Sequence, residues 1–217
     1  MKKIRTLILR TAGTNCDQET AYAFKQAGSE VESVHINRFI KKRTSLKKYH
    51  ILAIPGGFTY GDDVASGKIL ANEIKFNLKQ QLTKFISDGK LIIGICNGFQ
   101  VLVKMGLLPG FTKLKDHKIE ATLSLNDSGM FNDKWVHLKG QETAMEIDQK
   151  GKEQSKCVWT KNLPEVIYLP IAHAEGKFIP KNKVVLDRLR KNGQVVFRYT
   201  DPGGKKSGYP YNPNGSV

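Results

Sequence analysis

Cysteine is scarce in this chain. The three present, Cys16, Cys96 and Cys157, are odd in number, far apart and without the paired spacing of a zinc site or a disulfide framework. They fit a reducing, cytoplasmic setting and give no reason to expect a metal. No apolar run approaches the ~20 residues a membrane-spanning helix needs, so no membrane association is expected. The opening stretch KKIRTLILR has its apolar core broken by Arg10 and no small-residue cleavage site after it, so it reads as a first strand and not as a secretory signal. Acidic residues are also few, 20 against 35 Lys and Arg, for a formal charge of +15. The Lys-rich pieces from Lys41 to Lys48 and from Lys113 to Lys118 are scattered and lack interleaved aromatics. They read as solvated surface, and no nucleic-acid partner is expected. Such a charge favours an acidic protein or a phosphorylated substrate.

What is present is ordinary for a globular protein. The 217 residues are 40% apolar, enough for one α/β domain with a sizeable core. The first half alternates strand and helix. Strands are expected at Ile4 to Leu9, Val31 to Ile36, Ile51 to Ile54 and Leu91 to Ile95. Helices are expected from a cap at Asp17 to about Ala27 and from Ile69 to Ser87, ended by Gly28 and Gly89. This βαβ alternation predicts a mostly parallel sheet covered on both faces, with ligands beyond the strands' C-terminal ends. Both Gly56-Gly57 and Cys96 fall at such ends.

After Gly110 the segments shorten. Ala121 to Leu125, Lys134 to Leu138, Cys157 to Thr160, Val166 to Ile171 and Gln194 to Tyr199 read as antiparallel or edge strands, with Gln141 to Ser155 the most flexible stretch and a helix around Val184 to Lys191. The last residues, DPGGKKSGYPYNPNGSV, are all turn formers, so the domain over residues 1–217 is expected to be incomplete at its C-terminal end and less stable for it. Two phosphate-loop look-alikes carry no weight. From Gly61 to Lys68 the spacing is one residue too long and Ile69 stands where a Ser or Thr should bind magnesium, and GGKKSG has the wrong order.

The chemistry concentrates in LIIGICNGFQVLVKM, from Leu91 to Met105. An apolar strand meets Cys96 between Gly94 and Gly98, and an apolar helix-period segment follows. This is the pattern of a nucleophile elbow with cysteine in the serine position. The flanking glycines leave room for a strained strand-to-helix turn. A thiol at a helix N-terminus is expected to ionise more readily than free cysteine, near 8.5. An acyl-transfer site also needs backbone N–H groups aimed at the tetrahedral oxygen. Asn97, directly after the nucleophile, is one candidate donor, and Gly57 at the end of the neighbouring strand is another.

A proton relay calls for histidine. Of five, His35, His50 and His137 lie in or beside strands and read as structural, and His117 sits in a basic loop. His173 and Glu175, in PIAHAEGKF, follow a strand beside a glycine and suggest an active-site rim or a partner contact.

The elbow resembles that of the class I glutamine amidotransferases, G-x-C-x-G-x-Q, carried here by Gly94, Cys96, Gly98 and Gln100. RTAGTNCDQETA from Arg10, PGGFTYGDDVASGKILA from Pro55, PIAHAEGKF from Pro170 and NPNGS from Asn212 extend the likeness over nearly the whole chain, toward the branch that serves purine biosynthesis. The resemblance implies a flavodoxin-like fold in which Cys96 attacks the glutamine amide, forms a γ-glutamyl thioester and releases ammonia. Gly57 and Asn97 would form the oxyanion hole, and Gln100 would help to position glutamine. The ammonia would pass to a synthetase subunit using ATP and magnesium to convert formylglycinamide ribonucleotide to its amidine, together with a small accessory subunit; no cofactor is expected on this chain itself. The family's catalytic His and Glu lie in a P-H-P-E segment beyond NPNGS, which this sequence does not reach. His173-Ala174-Glu175 has the same H-x-E spacing, but the family carries an A-H-G-E-G stretch there in addition to its triad. Severely reduced glutaminase activity is therefore expected of this chain, although the intact gene product would be active. The alternative reading is a catalytically impaired binding or regulatory subunit.

Overall fold

A computed structural model describes residues 3–111, 118–147, 149 and 153–216. His117 and most of the Lys113 to Lys118 stretch lie outside them. The chain divides into two compact units, Met1–Ile119 and Glu120–Val217.

The first unit is a four-stranded parallel sheet. Its strands are β1 (Arg5–Arg10), β2 (Glu30–His35), β3 (Ile51–Ile54) and β4 (Leu91–Gly94), in the order β2-β1-β3-β4. This is the doubly wound α/β arrangement expected from the alternation. Period-2 geometry explains why the strands read as unbroken apolar runs: Leu7, Leu9, Leu52 and Ile54 enter a large core on one face, while Ile8 and Ala53 pack on the other. The smaller face is covered by α1 (Asp17–Gln26) through Ala21 and Phe24. The larger face receives α2 (Ile36–Ile40), α3 (Lys68–Asn77), α4 (Lys79–Ser87) and α5 (Asn97–Lys104), through Phe39, Ile74, Phe85 and Val101.

Three local expectations change. Asp17 does not cap α1; it lies inside the first turn, buried, with Arg10 Nε 2.7 Å from its carboxylate. The single helix expected from Ile69 to Ser87 is two, broken at Leu78, whose ψ of 4° leaves helical geometry. The five-residue α2 was not foreseen; the His35 ring caps it by accepting from the Asn37 N–H.

The second unit is antiparallel. β6 (Asn132–Gly140) lies between β9 (Val166–His173) and β11 (Phe197–Thr200), and β5 (Ala121–Ser124) pairs with β10 (Lys177–Pro180). A helix, α6 (Lys183–Lys191), buries Val185 and Leu189, four residues apart on one face. The stretch expected to be flexible holds a short hairpin, β7 (Met145–Ile147) with β8 (Glu153–Ser155). Val158–Thr160 is a 3-10 turn and not a strand. β10 is not among the strands expected from the sequence. The NPNGS tail is tied down: Ser216 Oγ accepts from the Phe178 N–H, and the buried Asn214 amide donates to the Gly176 carbonyl and the Tyr199 hydroxyl.

Candidate active site at the Cys96 elbow

β4 ends at Gly94, the Ile95 N–H donates to the Ile54 carbonyl at 3.0 Å, and Cys96 follows with φ 53° and ψ −113°. A positive φ at a non-glycine residue is strained and costs of order 1–3 kcal/mol. The two glycines show what holds it. A β-carbon on Gly94 would stand 2.5 Å from the Gly98 carbonyl oxygen, and one on Gly98 would stand 1.9 Å from the Ile54 carbonyl oxygen. The first turn of α5 therefore rests on the backbone of β3, and that contact turns Cys96 outward.

Gly57 comes to the same place from β3. Its φ is 140°, and a β-carbon there would collide with Gly13 O at 2.6 Å and Asn15 N at 2.8 Å. The loop before α1 is laced to it, with Phe58 N–H on the Gly13 carbonyl and Cys16 N–H on the Gly56 carbonyl. The backbone N–H groups of Asn97 and Gly57 both hydrogen-bond the Cys96 sulfur. Two donors converging on the nucleophile from separate segments suit a developing oxyanion as well as a thiolate.

Cys96 is exposed at the surface while its sulfur rests against backbone. Burial accordingly has the largest influence and raises its pKa; the two N–H groups pull it down, and Asp62 pushes it up again. The net direction is upward, opposite to the expectation from the helix N-terminus. Both Cys96 and Cys16 are held protonated in the fold. Their contribution to stability is thus present below the unfolded thiol pKa and is lost as pH rises through the folded values. Alkylation of Cys96 by iodoacetamide is expected to accelerate at higher pH than for free cysteine, about 8.5. A midpoint below that of glutathione measured alongside would contradict this balance.

Behind the nucleophile the Asn97 side chain is 1% exposed and fully engaged. Its oxygen accepts from Thr59 Oγ1 at 2.7 Å and from Thr59 N–H, and its nitrogen donates to Asp62 Oδ1 at 3.1 Å and Gln100 Oε1 at 3.0 Å. Asp62 Oδ1 also accepts from the Gly67 N–H. Tyr60 and Asp62 both have positive φ, so this loop is strained where Asn97 grips it. Gln100 is buried on α5, with its oxygen directed to Asn97. Thr59 and Asp62 escaped the sequence reading as site residues, although the FTYGDD stretch contained both.

His173 lies in the second unit at the end of β9. Its Nδ1 is 3.1 Å from Asn126 Oδ1, which also accepts from the Gly176 N–H; the ring nitrogen is therefore the donor and Nε2 carries the lone pair. Burial lowers its pKa, which keeps it neutral near pH 7. A β-carbon on Gly176 would collide with the ring, so glycine is required beneath it. Glu175 sits in the same turn. His50 accepts from the Arg5 N–H and His137 stacks on Tyr168, both structural roles. Among the described residues no cluster of His, Cys, Asp and Glu is arranged to hold a metal ion, and no helix is long and apolar enough to cross a membrane.

Residues 3–217 match the CobB/CobQ-like glutamine amidotransferase domain. The chain is similar to the phosphoribosylformylglycinamidine synthase subunit PurQ of Dehalococcoides mccartyi, with 46% identity covering 100% of this chain and 78% of that protein. The protein of the same name from Archaeoglobus fulgidus is 42% identical, covering 99% of this chain and 79% of its own length. Among solved structures, a chain of PurLQS from Thermotoga maritima superposes with a TM-score of 0.66 at 29% identity, covering 99% of this chain and 78% of that one.

Proposed function

The chain belongs to the PurQ family of glutamine amidotransferases, and we infer from that membership and from the Cys96 elbow that it is the glutaminase subunit of phosphoribosylformylglycinamidine synthase. It hydrolyses glutamine and passes the ammonia to a synthetase subunit, which converts formylglycinamide ribonucleotide to its amidine in purine biosynthesis. The impaired binding or regulatory subunit finds no support among the relatives.

The observation that carries the site assignment is the convergence of the Gly57 and Asn97 N–H groups on the sulfur of a residue held at positive φ. The Cys96 thiolate attacks the γ-carbonyl carbon of glutamine, and the carbonyl electrons move to an oxygen that those two N–H groups stabilise. Collapse expels ammonia, which leaves with a proton from a general acid. The resemblance gives that role to the His–Glu pair of a P-H-P-E segment and not to His173. Water then cleaves the thioester to glutamate and regenerates the thiol. Gln100 supports glutamine indirectly by holding Asn97. His173 and Glu175 form a rim or partner contact of the second unit. ATP and magnesium act on the synthetase subunit, a small accessory subunit joins the complex, and the setting is cytoplasmic. The PurLQS assembly of Thermotoga maritima supports the partnership.

With glutamine as the sole nitrogen source, the full-length protein and its synthetase subunit are expected to form the amidine product. Cys96→Ser should abolish that reaction while leaving the reaction from added ammonia intact. Equal glutamine-dependent rates for the two proteins would overturn the reading.

A further inference from the structure

Glutamine hydrolysis as described leaves Cys16 unused. This residue precedes α1, is exposed, and makes no side-chain cap for the helix. Among the described residues its thiol donates to the neighbouring Asn15 Oδ1, at 3.2 Å, while its N–H holds it to the Gly56 carbonyl. Gly56 lacks the positive φ of Gly57, so its backbone does not require glycine. Close neighbours, and not conformation, limit this position. A β-carbon there would be 3.3 Å from Cys96 Cβ, 3.5 Å from Cys16 Sγ and 3.7 Å from Cys16 Cβ. Both cysteines therefore lie close beside Gly56, one at the end of β4 and one at the start of α1.

We propose that Cys16 and Cys96 form a peroxide-sensitive thiol pair that closes across Gly56 into a reversible disulfide. Both thiols are held largely protonated, and Cys96 is the one oxidised first, because the Gly57 and Asn97 N–H groups stabilise the fraction that ionises, whereas Cys16 faces Glu19 and Asp17. The Cys96 thiolate displaces hydroxide from hydrogen peroxide. Sulfur loses two electrons to the O–O bond and becomes a sulfenic acid, and the hydroxide takes up a proton as water. The Cys16 thiolate then attacks the Cys96 sulfur, an S–S bond forms, the S–O bond breaks, and the second hydroxide leaves as water. A disulfide needs β-carbons about 3.5–4.5 Å apart, so closure draws the Cys16 loop toward Cys96. A dithiol reverses it by exchange. The pair stands independently of the glutaminase assignment; only its consequence, loss of the nucleophile and protection from irreversible oxidation, rests on that reading.

The test is the intact mass and peptide map of the reduced chain after a few equivalents of hydrogen peroxide. The expected product has lost two hydrogens and contains a Cys16–Cys96 linked peptide that dithiothreitol releases. In Cys16→Ser, which should alkylate with iodoacetamide at Cys96 as the parent does, Cys96 should instead gain two oxygens that dithiothreitol does not remove. The proposal is overturned if the parent accumulates doubly oxidised Cys96 as fast as Cys16→Ser with Cys16 still free. It is equally overturned if the linked peptide contains Cys157.

Discussion

Asn97→Asp is expected to move the alkylation profile of Cys96 to higher pH and to destabilise the fold. The substitution keeps the oxygen that receives Thr59 but removes both protons given to Asp62 and Gln100. Two acceptors are then left facing a carboxylate in a site that is 1% exposed at Asn97. A buried polar group that loses its partner costs roughly 1–3 kcal/mol, and the charge pair of residues 62 and 97 adds to this. Asp62 already pushes the Cys96 pKa upward, and a second carboxylate beside it acts in the same direction. Thr59→Val is the comparison, since it deletes one donor without introducing charge. It should lose stability in urea unfolding while leaving the alkylation profile where it was. Should the profile of Asn97→Asp fail to move, the side chain would have structural weight alone and no hold on the nucleophile's ionisation.

That hub shows where sequence reading stops. The elbow was legible because its requirements are local: Gly94 and Gly98 flank Cys96 within a few residues, and the strand before it is an apolar run, half-buried, with Ile92 against one core and Ile93 against the other. The sheet of the first unit was legible for the same reason. Two partners of Asn97, Asp62 and Thr59, lie 35 and 38 residues away, on a loop where positive φ extends from Gly61 to its non-glycine neighbours Tyr60 and Asp62. The break at Leu78 was hidden because Ile74, Leu78, Leu82 and Phe85 keep an apolar period through it. In the second unit β7 and β8 have three residues each, too few for a period to emerge, and β10 ends on a proline. The direction of the Cys96 pKa went wrong because the helix N-terminus was visible in sequence, whereas the burial and Asp62 that outweigh it were not.

Gly98→Ala separates the two reasons for a glycine, and its effect on activity is expected to be large. By helix propensity alone the change is favourable by about 1 kcal/mol, because Gly98 lies in α5 and lacks a positive φ. Space reverses the sign. The new carbon would stand 1.9 Å from the Ile54 oxygen and 2.7 Å from its carbonyl carbon, both backbone atoms that cannot rotate aside. α5 must lift from β3, at an overpacking cost of about 1–3 kcal/mol or more. The Asn97 N–H moves with α5 while Gly57 stays with β3, so the two donors no longer converge on one point. A displacement near 1 Å at a reacting centre can lower a rate on the order of 10²-fold, which sets the expected loss in glutamine-dependent amidation. Gly89→Ala is the counterpart: its φ of 69° makes alanine strained, yet nothing stands within 4 Å of the added carbon. It should cost about 1–2 kcal/mol in urea unfolding and leave the glutamine-dependent rate unchanged. If Gly98→Ala matched Gly89→Ala in both stability and rate, the seating of α5 on β3 would not be what positions Cys96.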